Sequence, residues 1–471
     1  MSENTTTQGP RAGRQTASRG LPRVVRDYGV PALLVLFALV SVVVHVPQNE
    51  QISPIDEFVY SDYLDKVPTE GVVRQGEETG DYARSLVKCN GVLLYLEPDA
   101  EQCATSEQLP DGAFPFGGRT SADIYTPAYF VVTWAAAQPL IWLGVDDLLD
   151  AGSYVGFLWL AGALLFLYGA LRQMAVPRLV GLALGLLVAA SPAAFWSSTY
   201  VSTDAPAMTF GAAVLFVVVR LLSGRRGGGA LVVLSALAVL FKVQNIAVVG
   251  MAALVLVGSG AVGLWERRRV SPAPASDPLA SDAPASGSEV RQRSAVRFIV
   301  VGVLSAVLAV AVQVAWTAVR AMISVGPSPD QATGSPLSAR ALVRESFKFL
   351  GGIPLDPTGA ANGAAISLAG FVLWAVTLGG LIGVAFVWRP LTTAWSLAWA
   401  TMVIALLLGP LLVLGVSVSE GYYFPLPARY GLSLLPSFVL AAGVFLGSRP
   451  AAGRVLLAVA APVAVLTLFG S

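Results

Sequence analysis

Charge is what this sequence has least of. Of its 471 residues 13% are Asp, Glu, Lys or Arg and 55% are hydrophobic, whereas soluble domains carry roughly 25% charged residues. The formal net charge is +1, so no global field draws in a polyanion and no nucleic-acid partner is expected. The single histidine, His45, excludes a zinc site built on a histidine cluster and any Ser-His-Asp triad. No P-loop, no GxGxxG after a strand and no haem or redox cysteine motif occurs. Away from their ends the apolar runs hold no ionisable residue, with His45 and Arg320 each standing near an end. Proton- or ion-coupled carriers usually bury such groups at mid-membrane. Chemistry is therefore expected at the membrane surface, resting on carboxylates, arginines, lysines and hydroxyls.

What the chain does have is a succession of apolar runs, with a mean hydropathy of +0.68. A bilayer crossing needs about 20 apolar residues and leaves no backbone group unsatisfied, so each run reads as a helix. About eleven are expected, at roughly 28–46, 150–171, 177–195, 205–222, 229–242, 245–264, 297–322, 366–387, 393–417, 431–447 and 454–470. Basic residues mark one side of this array: Arg11, Arg14, Arg19, Arg23 and Arg26 in the tail, then Arg172 with Arg178, Arg220 with Arg225 and Arg226, Arg267 to Arg269, Arg291 to Arg297, Arg389, and Arg449 with Arg454. The positive-inside rule assigns that side, and the N-terminus, to the cytoplasm. The expected organisation is a basic cytoplasmic tail at 1–27, an N-terminal transmembrane module at 28–265 with a long outer loop at 47–149, a disordered cytoplasmic linker at 266–296, and a C-terminal transmembrane module at 297–471. The linker follows from its Pro, Ala, Ser and Asp content, which cannot build a core.

The outer connections hold the informative residues. Cys89 and Cys103 bracket "NGVLLYLEPDAEQ"; in an oxidising compartment they suggest a disulfide closing a small hairpin, worth ~3 kcal/mol, with two free thiols as the other reading. In "SPIDEFVYSDYLDKV", Ser53 followed by Pro54 and an acidic residue reads as a helix start. At helical spacing Asp56 shares a face with Val59, Tyr60, Tyr63 and Val67, and Glu57 lies with Ser61 and Asp65. A carboxylate on an apolar face is partly desolvated, which suits it to general-base work. Asp56 is thus a catalytic candidate or a helix cap, and Glu57 a supporting or metal-binding residue.

Further along, "RTSADIYTPAYFVVTWAAAQPLIWLG" (119–144) reads as a helix along the outer interface, with Tyr125, Tyr129, Trp134 and Trp142 at headgroup depth. Counting it as a span would invert every later basic cluster; the other reading is an ordinary span in a chain of different topology. Asp204 in "SSTYVSTDAPAMTF" either caps the next helix or supplies a second carboxylate near the first. Lys242 in "FKVQN" either snorkels or holds a lipid phosphate, with Gln244 and Asn245 adding hydrogen bonds. In "ARYGLSLLP", Arg429 offers a fork to phosphate oxygens, and Tyr430 packs a sugar or prenyl chain or sits in an aromatic belt. "SARALVRESFKF" reads as an amphipathic segment with Arg340, Arg344 and Lys348, either a binding element or simply a solvated helical face.

In arrangement the chain resembles the GT-C superfamily of membrane-embedded glycosyltransferases. A first span is followed by a long outer loop opening with "DE" (Asp56, Glu57), then "YTPAYF" (Tyr125 to Phe130), similar to a "PPLYY"-type stretch, then a second outer acid (Asp204). "KVQN" and "ARYGLSLLP" look like the lysine turn and the "RY..PL.P" segment of such enzymes. The "DEF...DYL" opening is also similar to actinobacterial envelope proteins placed near that superfamily. The resemblance covers most of the chain as topology. It implies an all-α polytopic membrane protein of GT-C-like fold, with juxtamembrane helices in the first outer loop. It also implies an inverting transfer of a sugar from a polyprenyl-phosphate donor to a glycan, lipid or protein acceptor of the cell envelope, outside a bacterial cytoplasmic membrane. In those terms Asp56 and Glu57 are catalytic and Asp204 is the second acid. Lys242, Arg429 and Arg344 hold the donor phosphate, and Tyr125, Gln244, Tyr430 and Arg119 contact substrate. No cofactor is required; a divalent cation held by Asp56, Glu57 or Asp204 is compatible. The competing class is a non-catalytic lipid-linked glycan transporter or an envelope-assembly scaffold, in which the outer arginines bind glycan or phosphate and Asp56 is a cap.

Overall fold

The computed structural model describes residues 23–105, 109–269, 287–329, 334–355 and 362–469. Most of the expected basic tail (1–22) and the middle of the expected linker (270–286) lie outside the described residues.

The described residues form helices and no β-strand beyond isolated bridges. The first apolar run makes α1 (Arg23–His45), which ends in a 3-10 turn at Pro47. A small helical layer follows: α2 (Glu57–Glu70), α3 (Asp81–Asn90), α4 (Ala100–Ala104) and α5 (Ala128–Trp142). Its core is aromatic. Phe58, Tyr60, Tyr63 and Leu64 of α2 meet Tyr129 and Phe130 of α5, and the Tyr63 and Phe130 rings stack with centroids 4.0 Å apart. Burying such rings dominates the cohesion of a layer this small. Cys89 in the last turn of α3 and Cys103 in α4 form a disulfide, Cα atoms 4.7 Å apart. α5 has 15 residues, about 22 Å of helix. It packs on α2 and on α6 (Leu148–Gln173), and its end leaves Trp142 and Leu143 exposed.

The apolar runs then give α7 (Arg178–Ala189), α8 (Pro192–Ser198), α9 (Ala205–Leu222), α10 (Gly228–Phe241) and α11 (Ile246–Arg269). The second half supplies α12 (Gly287–Ile323), α13 (Ala339–Leu355), α14 (Ala364–Ile382), α15 (Thr393–Glu420), α16 (Leu435–Gly447) and α17 (Ala452–Thr467). α11 and α12 extend into the two ends of the expected linker. Where the sequence suggests about eleven spans, 8 helical segments among the described residues have the length and apolarity to cross a membrane, or 9 if a bent pair crosses as one. That pair is α7 and α8, which meet at 57°. Pro192 lacks the N–H that would continue α7 and forces Ser191 into an extended conformation; the Ser191 hydroxyl then caps α8. α10 and α17 have 14 and 16 residues, about 21 and 24 Å, short of a ~30 Å hydrocarbon core.

α9 is the buried centre, packed on α6, α10, α11 and α16. The 3-10 helix 428–434 that precedes α16 also lies on it, and Gly211 permits this approach: a Cβ at that position would stand 2.2 Å from the Ser433 carbonyl oxygen. The two sequence modules interleave, since α12 runs along α10 and α11. At its far end Arg320 reaches Asp123 at 2.5 Å and Trp316 donates to the Ile124 carbonyl, clasping the helical layer to the bundle.

Candidate active site

Five separate connections of the chain meet beside the helical layer. Arg429, the second residue of the 3-10 helix at Ala428–Leu434, is carried to the start of α9 by the Gly211 contact. Its Nη2 lies 3.2 Å from Asp56 Oδ2, and its Nε lies 3.4 Å from Asp204 Oδ2, an ion pair without hydrogen-bond geometry. Asp204 Oδ1 in turn accepts from Lys242 Nζ at 2.6 Å. Two carboxylates and two cations thus share one cluster whose formal charges cancel. Lys242 also donates to Thr203 Oγ1 at 3.1 Å, Thr203 donates to Tyr60 Oη at 3.1 Å, and Tyr60 Oη lies 3.1 Å from Tyr125 Oη. The Lys242 ammonium stands over the rings of Tyr125 and Tyr430, 5.6 and 5.7 Å from their centroids, an arrangement that favours the cation.

Local sequence explains how each group is held. Lys242 breaks α10 in an extended conformation, and Asn245 closes the break by donating to the Ala238 carbonyl at 2.9 Å. Burial lowers the Lys242 pKa, and the Asp204 carboxylate beside it opposes that shift. Asp204 stands at the head of α9 with Pro206 behind it, but its side chain caps nothing and is spent on the two cations, which corrects the capping alternative.

Asp56 and Glu57 exchange the surroundings expected of them. α2 begins at Glu57, so Asp56 lies before the helix in a left-handed conformation, φ 57°, instead of on the apolar face. Ser53 is correspondingly not the cap residue, although its hydroxyl accepts from the Ile55 amide. The desolvated carboxylate is Glu57, 1% exposed, which accepts from the Ser53 amide at 2.7 Å and the Val201 amide at 2.8 Å. Burial pushes it up to about 8 even though both amides favour its charged form. Glu57 therefore staples the start of α2 to the segment carrying Thr203 and Asp204. Asp56 is the open member of the cluster, with a side chain 29% exposed against 13% for Arg429, 4% for Asp204 and 1% for Lys242. Aspartate is among the side-chain-bearing residues that adopt positive φ most readily, so the turn before α2 forms here without a glycine.

The cluster thus gathers Asp56, Asp204, Lys242, Arg429, Tyr125 and Tyr430 from the sequence candidates. Gln244 is in the turn beside Lys242, buried, and its Oε1 has no hydrogen-bond partner among the described residues. Besides Glu57, two candidates do not join. Arg119 is exposed and pairs through its backbone with Glu78. Arg344 donates to the Tyr423 hydroxyl and pairs with the buried Glu345, its side chain 57% exposed. The sequence reading assigned no role to Tyr60 and Thr203, whose hydroxyls link Lys242 to Tyr125; buried hydroxyls carry no signal of their own. A divalent cation fits these residues poorly. Both Glu57 oxygens are committed to amides and each aspartate already faces a cation, and among the described residues no group of three or more His, Cys, Asp or Glu could hold a metal ion.

No protein-family model matches this chain, and no curated protein matches it.

Proposed function

We propose that the chain is an inverting GT-C-type glycosyltransferase. It moves a sugar from a polyprenyl-phosphate donor to a cell-envelope acceptor, at the outer face of a bacterial cytoplasmic membrane, with its N-terminus inside. The observation that carries the reading is the partial exposure of Asp56 in a cluster whose other charges are more enclosed: a carboxylate within reach of a ligand, backed by the buried Lys242 and the half-buried Arg429. In this reading Asp56 takes the proton of an acceptor hydroxyl while that oxygen bonds to the anomeric carbon. The bond from carbon to the phosphate oxygen breaks on the opposite face, and its electron pair leaves with the phosphate. As Asp56 is neutralised, the net charge of Asp56, Asp204, Lys242 and Arg429 goes from zero to +1, in step with the extra negative charge on the departing phosphate. Stabilisation that grows toward the transition state is what accelerates a reaction. Tyr430, half-buried, supplies a ring face for a sugar, with the buried Tyr125 and Gln244 behind it.

The transporter or scaffold reading draws on one observation, that all four charges are paired with one another. Single-turnover sugar release separates the two. Purified protein in nanodiscs is given a mixed pool of radiolabelled polyprenyl-phosphate sugars, with Asp56→Asn alongside. Release by the wild type, reduced about 10²- to 10⁴-fold in the variant, is expected for a general base. Absence of release with donor binding unchanged by the substitution overturns the enzyme reading in favour of a transporter or scaffold.

A further inference from the structure

At the far end of the bundle two helical turns meet. α6 turns through Val176 and Pro177 into α7, and α16 turns through Ser448 and Pro450 into α17. The 3-10 helix at Ala428–Leu434 and α16 carry the chain from Arg429 to Gly447, on the order of 30 Å of helix, so this end is remote from the carboxylate and cation cluster. Small residues let the turns touch: a Cβ on Gly447 would lie 2.8 Å from Pro177 Cδ, and one on Gly453 would lie 3.2 Å from Val180 Cγ2.

Between the turns is an open cavity of about 440 Å³ lined by Arg172, Arg178, Arg449 and Arg454, and no acidic side chain is among its lining residues. Like charges gathered round one opening repel. The backbone adds to this. Arg178 is the first residue of α7 and Arg454 the third of α17, at the positive end of each helix dipole, which favours anions and disfavours cations. A bias of arginine toward one side of a membrane explains basic residues in each turn. It does not explain why two turns distant in sequence bring them round a common cavity. An anion at that point offsets both the mutual repulsion and the helix ends.

We propose that this cavity binds a phosphate-bearing anion, either the headgroup of an anionic phospholipid in the adjacent leaflet or a soluble phosphate. Guanidinium forks match phosphate oxygens in pairs, and the positive ends of the two helix dipoles favour the same group. The volume is within the range of ligand pockets, and Leu179 and Pro450 add apolar wall beside the arginines. Basic pockets between helices at a membrane surface are established headgroup sites in general.

The test uses full-length protein, with Arg449→Gln/Arg454→Gln as the site variant, Arg449→Lys/Arg454→Lys as the charge-preserving variant and Arg225→Gln/Arg226→Gln as a control with the same charge removed elsewhere. Arg449 and Arg454 are exposed, so the fold should tolerate each change. In the lipid arm, native mass spectrometry counts phosphatidylglycerol retained against phosphatidylcholine. In the soluble arm, equilibrium dialysis measures radiolabelled inorganic phosphate bound to protein in phosphatidylcholine nanodiscs. A loss of about tenfold in the site variant, with the control unchanged and the lysine variant intermediate, is expected in the lipid arm for a headgroup site and in the dialysis arm for a soluble phosphate. Equal binding by wild type and site variant in both arms, or the same loss in the control, overturns the proposal.

Discussion

Lys242 Nζ stands 2.6 Å from Asp204 Oδ1, and neither side chain is more than 4% exposed. A buried pair of this kind costs desolvation to assemble, so its presence says little about net stability; what it does dictate is the penalty for separating the partners. Asp204→Asn or Lys242→Met alone leaves an uncompensated charge and should destabilise by about 3–5 kcal/mol. The double variant should recover at least half of the summed loss, read from chemical or thermal unfolding as a double-mutant cycle. Additive losses would mean that the two groups do not depend on each other.

Arg429 faces two carboxylates at once, Asp56 through Nη2 and Asp204 through Nε. A guanidinium can address both from one rigid plane, whereas an ammonium is a point charge that settles on one of them. Arg429→Lys should therefore keep the charge balance and the fold but reduce single-turnover rate by about 10- to 100-fold, equivalent to roughly 1.4–2.8 kcal/mol of transition-state stabilisation. A variant with undiminished rate would show that one positive charge anywhere in the cluster suffices.

Glu57 predicts a pH dependence whose sign is fixed by its burial. Its carboxyl is raised from 4.5 to about 8 in the folded chain, so between those values the folded state holds a proton that the unfolded state has lost. Stability associated with this group is complete below about pH 4.5 and falls as pH rises toward 8, with a limiting slope on the order of 1.4 kcal/mol per unit. Glu57→Gln removes the titration. Melting temperature followed from about pH 5 to about pH 8 should decline more steeply in the wild type than in the variant; Asp62 and Asp123, also raised by burial, titrate in both proteins and cancel from the difference. Parallel declines would locate the pH sensitivity elsewhere.

How far the sequence reached depended on the length scale of each signal. A run of apolar residues is a long, redundant signal, and α9 falls where 205–222 was read. The break between α7 and α8 depends on two residues, Ser191 and Pro192, set within an otherwise apolar stretch, so composition conceals it. Side-chain direction is more fragile still. A helix turns about 100° per residue, and moving the start of α2 to Glu57 put the buried position on Glu57 and left Asp56 at the opening. Residue type and side of the membrane were enough to nominate Asp204, Lys242 and Arg429 individually, but not their distances, because they belong to three different connections. The same criteria nominate Arg344 and Arg119 equally well. Only packing separates them: Tyr423 and Glu345 take Arg344, and Arg119 remains exposed.

The disulfide between Cys89 and Cys103 tests whether the helical layer and the site are separable. It joins α3 to α4, while Asp56, Tyr125, Asp204, Lys242 and Arg429 are held by ion pairs and hydrogen bonds that involve neither helix. A closed loop of this length contributes about 3 kcal/mol, mainly by limiting the unfolded chain. Cys89→Ser/Cys103→Ser should accordingly lower the unfolding midpoint by about that amount. At temperatures well below the midpoint, single-turnover rate should remain within about twofold of wild type, a change of roughly 0.4 kcal/mol in barrier. A large loss of rate in a variant that remains folded would mean that α3, which packs on both α4 and α2, sets the position of Asp56 through α2.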